Sequence, residues 1–204
     1  MNDPVNSGRR RLLCGLAVLP VAGMAATSPT PSASEGPFYP AGNMRFRDTD
    51  NNLVKIDGRV EQAGGEIIEL SGRVLDRSGK PIEGARVEIW QCDVNGRYLH
   101  RADRGAGERD SGFQGFGHDV TGVTGEYAFR TIKPVPYGGR TPHIHVKVLV
   151  ANQERLTTQF YLAQHPQNSR DWLYRRIPRE RLPQVSLRLQ ATADLPLARL
   201  DIIV

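Results

Sequence analysis

Short runs that change character from residue to residue, broken by dense turn chemistry, restrict this chain most, and no long run at helical spacing accompanies them. Ala85-Arg-Val-Glu-Ile-Trp-Gln-Cys92 and His143-Ile-His-Val-Lys-Val-Leu-Val150 are the clearest. Side chains two apart share one face of a strand, so such runs suit half-buried strands. Further strand-like runs fall at 67–75, 126–131, 156–162, 184–190 and 195–204. Between them stand turn clusters such as Asp76-Arg-Ser-Gly-Lys-Pro81 and Asn95-Gly96, in which glycine can supply positive φ. The 21 glycines and 14 prolines fit that pattern. Strands joined by turns predict an all-β fold, an antiparallel β-sandwich with long loops and an N-terminal arm. Residues 99–122, with His100, Phe113, Phe116 and His118, read as one long glycine-rich loop. A short helix is expected over 169–176, capped by Ser169.

At 204 residues the chain suffices for one domain with an appendage. The first 25 residues place Arg9-Arg10-Arg11 before the apolar run Leu12 to Ala22, then small residues ending at Gly23-Met24-Ala25. That order is the order of an export signal, and the consecutive arginines resemble a twin-arginine signal. It predicts export to the periplasm or beyond, with no membrane span. Residues 26–34 read as a linker and Glu35-Gly-Pro-Phe-Tyr-Pro40 as an extended arm carrying two aromatics. Residues 41–65 read as loops, and 66–204 as the main domain. The formal charge is +5; three arginines and one aspartate in the first 25 residues account for +2, leaving +3. So mild a charge, without a basic-aromatic motif, gives no reason to expect a nucleic-acid partner. Cys14 would leave with the signal, so no intramolecular disulfide can form, and Cys92 is expected as a buried, inert thiol.

The chemistry concentrates in Tyr137-Gly-Gly-Arg-Thr-Pro-His-Ile-His145. His143 and His145 point to the same side of a strand, where two imidazoles can share a metal; a hydrogen-bonded or surface pair is the other reading. Two tyrosines could complete a metal site. Tyr137 follows Lys-Pro-Val-Pro, whose prolines stiffen its approach, and Tyr98 lies just past the Asn-Gly turn. Two phenolates and two imidazoles form a hard, anionic donor set that favours a trivalent ion. A phenol with an ordinary pKa of ~10 ionises only beside a strong cation. Fe(III) supplies that charge, whereas zinc prefers nitrogen, sulfur and carboxylate ligands.

Several segments, in order, resemble the intradiol ring-cleavage dioxygenases, the group of protocatechuate 3,4-dioxygenase and catechol 1,2-dioxygenase. They are Glu35-Gly-Pro-Phe-Tyr39, Val87-Glu-Ile-Trp-Gln91, Gly96-Arg-Tyr-Leu-His100, Tyr127-Ala-Phe-Arg130, Arg140-Thr-Pro-His-Ile-His145 and Thr158-Gln-Phe-Tyr161. The resemblance implies a transthyretin-like (prealbumin-like) sandwich and one non-haem Fe(III) held by Tyr98, Tyr137, His143 and His145. It implies O2 as co-substrate, a small aromatic diol as substrate and a cis,cis-muconate as product. Tyr137 would take a substrate proton, Arg140 would stabilise negative charge on the ring, and Gln159 would line the pocket. A homo-oligomer or a related partner chain is implied in the same way. Only Gly138 and Gly139 separate Tyr137 from Arg140, a shorter connection than well-known members carry. The alternative is a metal-free transthyretin-like binding module, which the Gly72-Arg-Val74 and Gly79-Lys-Pro-Ile-Glu-Gly-Ala85 segments also resemble.

Overall fold

The structure, a computed structural model, describes residues 27–204; the expected signal segment 1–25, Cys14 included, lies outside the described residues. Among the described residues nine strands form two sheets. They are β1 (Ile67–Leu75), β2 (Arg86–Trp90), β3 (Phe116–Val120), β4 (Glu126–Ile132), β5 (His143–Val150), β6 (Gln153–Leu162), β7 (Ser186–Leu187), β8 (Leu197–Arg199) and β9 (Ile202–Ile203). One sheet runs β4-β1-β8, with β9 also on β1; the other runs β3-β2-β5-β6-β7. Ile68, Leu70 and Val74 of β1 are fully buried, at every second position apart from Gly72. Leu70 and Val74 share one apolar cluster with Val87, Ile89, Ile144, Val146 and Phe160 of the second sheet, so the inner faces of both sheets make a common core. Gly72 breaks the row because an added Cβ would stand 1.6 Å from the Leu200 carbonyl oxygen.

In β5 burial is continuous from His143 to Val148. Ile144, Val146 and Val148 enter the core, whereas His143, His145 and Lys147 alternate with them and face the other side. Arm and loops cover that outer face. Glu35 pairs with Lys147, the Tyr39 hydroxyl donates to Glu88 (2.6 Å), and Phe38 stacks on Tyr98 at 4.9 Å. Residues 27–34, which lack any apolar period and read as a linker, are held by backbone contacts instead. The Thr30 amide donates to the Ile203 carbonyl (2.9 Å), the Ala33 amide to the Thr157 carbonyl (2.9 Å), and Thr158 Oγ1 to the Pro31 carbonyl (2.6 Å).

Four further expectations are corrected. The loop 99–122 ends in a strand, β3, which pairs antiparallel with β2; its His118 and Asp119 hide the apolar pattern. The sheets are mixed and not purely antiparallel, since β8 and β9 run parallel to β1 and β7 runs parallel to β6. Of 184–190 only Ser186–Leu187 is strand, and a 3-10 helix occupies Arg179–Val185. The helix over 169–176 is instead two 3-10 turns, Pro166–Ser169 and Tyr174–Arg176. Ser169 does not cap a helix; Asp171 Oδ1 accepts the Leu173 (2.9 Å) and Tyr174 (3.1 Å) amides. Among the described residues no helix is long and apolar enough to cross a membrane.

Candidate metal centre

All six residues singled out in the sequence gather on the outer face of the second sheet. β5 supplies His143 and His145, whose Nε2 atoms lie 3.2 Å apart. Tyr98 arrives from the loop after β2, and its ring lies 4.8 Å from that of Tyr137 and 5.9 Å from that of His145. The ring of Tyr137 is 5.6 Å from that of His143. The Gly138-Gly139 connection is a tight turn: φ is +51° and +81° at the two glycines, and the Arg140 amide donates to the Tyr137 carbonyl at 2.7 Å. Positive φ at both central residues defines a type I′ turn, which sets its flanking residues side by side. The short connection therefore fixes Tyr137 next to Arg140.

Arg140 is held on two sides. Its Nε donates to Asp171 Oδ2 at 2.7 Å and its NH2 group to Gln159 Oε1 at 2.8 Å. Gln159 Oε1 also accepts the Tyr161 hydroxyl (3.0 Å). Asp171 Oδ2 additionally accepts the Thr141 amide (2.9 Å). Burial alone would raise the Asp171 carboxyl; the Thr141 and Tyr174 amides and the Arg140 guanidinium outweigh it and hold the group below the usual carboxylate range. Asp171 and Tyr161 were not singled out in the sequence. Asp171 lies 31 residues from Arg140, inside what reads as a short helix, and a lone aspartate there carries no signal.

Each candidate ligand is tuned by burial. His143 and His145 are 1% and 2% exposed, and desolvation, with Arg140 nearby, pushes His143 down to about 4 and His145 well below its ordinary value. Both imidazoles are therefore neutral, as a metal ligand must be. His143 Nδ1 lies 2.6 Å from the Thr141 carbonyl, which places the proton on Nδ1 and leaves a lone pair on Nε2. Desolvation raises both phenols, Tyr98 well above the ordinary value. The Tyr98 hydroxyl is buried without a hydrogen-bond partner, as is His145 Nδ1. Trp90 stacks on the His145 ring at 4.8 Å with 12° between the planes, and a Cβ on Gly36 would meet His145 Cε1 at 3.4 Å.

This donor set fits a ferric ion. An orphaned buried hydroxyl costs roughly 1–3 kcal/mol, and a trivalent cation removes that cost by turning phenol into phenolate. Without a cation, His145 Nε2–H donates to the His143 Nε2 lone pair at 3.2 Å and leaves His145 Nδ1 as the orphaned atom; a cation between the two Nε2 atoms would take the place of that bond. No group of three or more His, Cys, Asp or Glu that could hold a metal occurs among the described residues, so a metal here draws on the phenols. The other described histidines are placed differently: His100 Nδ1 accepts the Ala102 amide at 3.1 Å, His165 Nδ1 accepts the Gln167 amide at 3.3 Å, and His118 lies on β3, two strands from β5.

Comparison with known proteins agrees with this geometry. A family profile described as dioxygenase matches residues 34–195. The chain belongs to the intradiol ring-cleavage dioxygenases, a family of oxidoreductases. It is 32% identical over 163 residues to catechol 1,2-dioxygenase 1 of Acinetobacter lwoffii, covering 71% of this chain and 50% of that one. To the protocatechuate 3,4-dioxygenase beta chain of Burkholderia cepacia it is 36% identical over 137 residues, covering 63% and 58%. The chain thus spans about half the length of the curated relatives it matches. Among solved structures it resembles the dioxygenase domain of a dioxygenase and carbohydrate-binding fusion from Streptomyces sp. SirexAA-E, with a TM-score of 0.64 and 29% identity over 87% of this chain and 98% of that one.

Proposed function

We propose that this chain is an exported non-haem Fe(III) enzyme that opens a catechol-type ring between its two hydroxyl-bearing carbons. One carbon–carbon bond and the O–O bond break, and both oxygen atoms enter a cis,cis-muconate. The observation that carries the proposal is the convergence of the unpartnered Tyr98 hydroxyl, Tyr137 and the facing Nε2 atoms of His143 and His145 in one buried cluster. A metal-free module leaves that buried hydroxyl unexplained. The export signal of residues 1–25 and a transthyretin-like pairing of the two sheets belong to the same reading.

Tyr98, Tyr137, His143 and His145 would hold the ion. Ferric iron, when bound, supplies a chelation point for the two ring oxygens and an acceptor for electron density. Tyr137 is the more exposed of the two tyrosines. Burial favours its protonated form, and Arg140 opposes that shift, so its oxygen is suited to receive a proton from a substrate hydroxyl. The Arg140 guanidinium is locked by Asp171 and Gln159, so its field is preorganised for negative charge developing on the ring. The arm excludes water by laying Gly36 and Phe38 across His145 and Tyr98.

Iron-loaded protein tests the proposal. Tyrosinate bound to ferric iron gives a visible absorption band that shifts on adding catechol, with one O2 consumed per muconate formed. Tyr98→Phe weakens or recolours the band. Colourless loaded protein that consumes no O2 with catechol sinks the reading.

A further inference from the structure

The turn that grips Arg140 also walls a cavity beside it. Asp171 holds Arg140 and Thr141, and the next residue, Trp172, is 57% exposed with the Arg176 guanidinium 5.0 Å from its ring centre. Between this turn and residues 31–34 lies a cavity of about 420 Å³. Gln159 and Tyr161 form its inner wall, and they are the cross-strand partners of His145 and His143. Cross-strand partners share a face, so the cavity opens one strand away from the candidate ligands and on their side of the sheet. Gln159 belongs to both spaces: Oε1 accepts from Arg140, and Nε2 donates to the Ser34 carbonyl at 3.1 Å.

The lining suits a particular kind of guest. Leu173, Ile177 and the Trp172 ring give it apolar surface, and Arg176 is the one charged side chain among the described residues that line it. Of the five arginines clustered at 170–181, Arg181 is spent on the Pro29 carbonyl and Gln184, while Arg176 is placed on the cavity. At about 420 Å³ the cavity falls in the range of roughly 300–1,000 Å³ that holds small-molecule groups, and a dihydroxybenzene at the candidate ligands would not reach into it. Trp172 is exposed with a cation over its ring, and the cavity it lines shares Gln159 with Arg140, so an apolar and cationic surface lies beside the proposed site.

We propose that the cavity receives the side chain of the substrate. The preferred ring is a catechol bearing a substituent several atoms long, apolar along its stem and anionic at its end. The stem lies on Trp172, Leu173 and Ile177, and the anion meets Arg176. This rests on the dioxygenase reading, and the experiment separates the two. Catechol, 3-(3,4-dihydroxyphenyl)propanoate and its methyl ester are compared as substrates of iron-loaded protein, and as quenchers of Trp172 fluorescence in metal-free protein. The acid is preferred to catechol in kcat/KM; Trp172→Ala lowers that preference about tenfold, and Arg176→Gln lowers the acid to the level of the ester. Metal-free parent protein shows saturable quenching by the acid, and Trp172→Phe, which leaves only Trp90 emission, does not. Quenching without any turnover supports the cavity and removes the dioxygenase reading. Cleavage of catechol, with no quenching and an acid preference unmoved by either substitution, overturns the cavity assignment and leaves the dioxygenase reading standing.

Discussion

Replacing Asp171 by Asn tests the frame that holds Arg140. The carboxylate is fully buried and accepts the Arg140 Nε (2.7 Å) and the Thr141 amide (2.9 Å) on one oxygen, with the Leu173 and Tyr174 amides on the other. Asparagine keeps the shape, yet its amide nitrogen must face one of these donor pairs, and Arg140 loses its countercharge. Removing one partner of a buried ion pair costs roughly 3–5 kcal/mol. The Arg140 side chain is 14% exposed, which points to the lower end, about 3 kcal/mol. For a chain of this size about 2–4 °C accompanies each kcal/mol, so thermal melts of metal-free protein should fall by about 6–12 °C. A guanidinium displaced by about 1 Å costs roughly a hundredfold in kcat of the iron-loaded enzyme. Arg140→Gln combined with Asp171→Asn should be less destabilised than the sum of the two single changes, since one pair is lost only once. A melting point within about 2 °C of the parent, with undiminished turnover, would refute this account of the site.

Two other perturbations follow from the buried geometry. His143 is held neutral down to about 4, against an ordinary 6.5, first by desolvation and then by Arg140. Between those values the unfolded chain binds a proton that the folded chain refuses, so the stability of metal-free protein rises with pH across that window and levels off above it. The effect is on the order of 3 kcal/mol, His145 adds in the same direction, and urea midpoints that do not change from pH 4 to 6.5 would contradict neutral burial. Gly72→Ala places a Cβ 1.6 Å from the Leu200 carbonyl oxygen; the backbone must part, costing about 3 kcal/mol or more, and a melting point equal to the parent would show that β1 and the 200–203 segment do not pack as described.

The histidine pair was legible because β5 writes its two faces into alternate positions: Ile144 and Val146 go to the core, so His143 and His145 cannot. The tyrosines were legible through the turns that deliver them, Asn95-Gly96 and the proline-flanked approach to Tyr137. Asp171 was not, because its role depends on a chain reversal that brings it back to Arg140, and nothing local marks that return. Residues 27–34 looked like a linker because backbone groups and two threonine hydroxyls hold them, and neither leaves an apolar period in the sequence. The strand β3 was lost for a related reason: beyond Phe116 and Gly117 its side chains are only partly buried or, at Val120, exposed, so apolar alternation had little to act on. The parallel pairing of β8 and β9 is set by their neighbour β1 and has no signature in two or three residues.

The arm ties the cover of the site to a distant part of the chain. Thr30 exchanges hydrogen bonds with Ile203 through its amide and its Oγ1, a span of 173 residues, and the same arm then carries Gly36 to His145 and Phe38 to Tyr98. Ile203 lies more than 40 residues beyond every candidate site residue in the chain, yet the roof over those side chains is anchored on it. Contacts between such distant parts of a chain form more slowly than local ones. The cover over Tyr98 and His145 thus rests on a contact between residues 173 apart, and a local change at Ile203 reaches the candidate site through the arm.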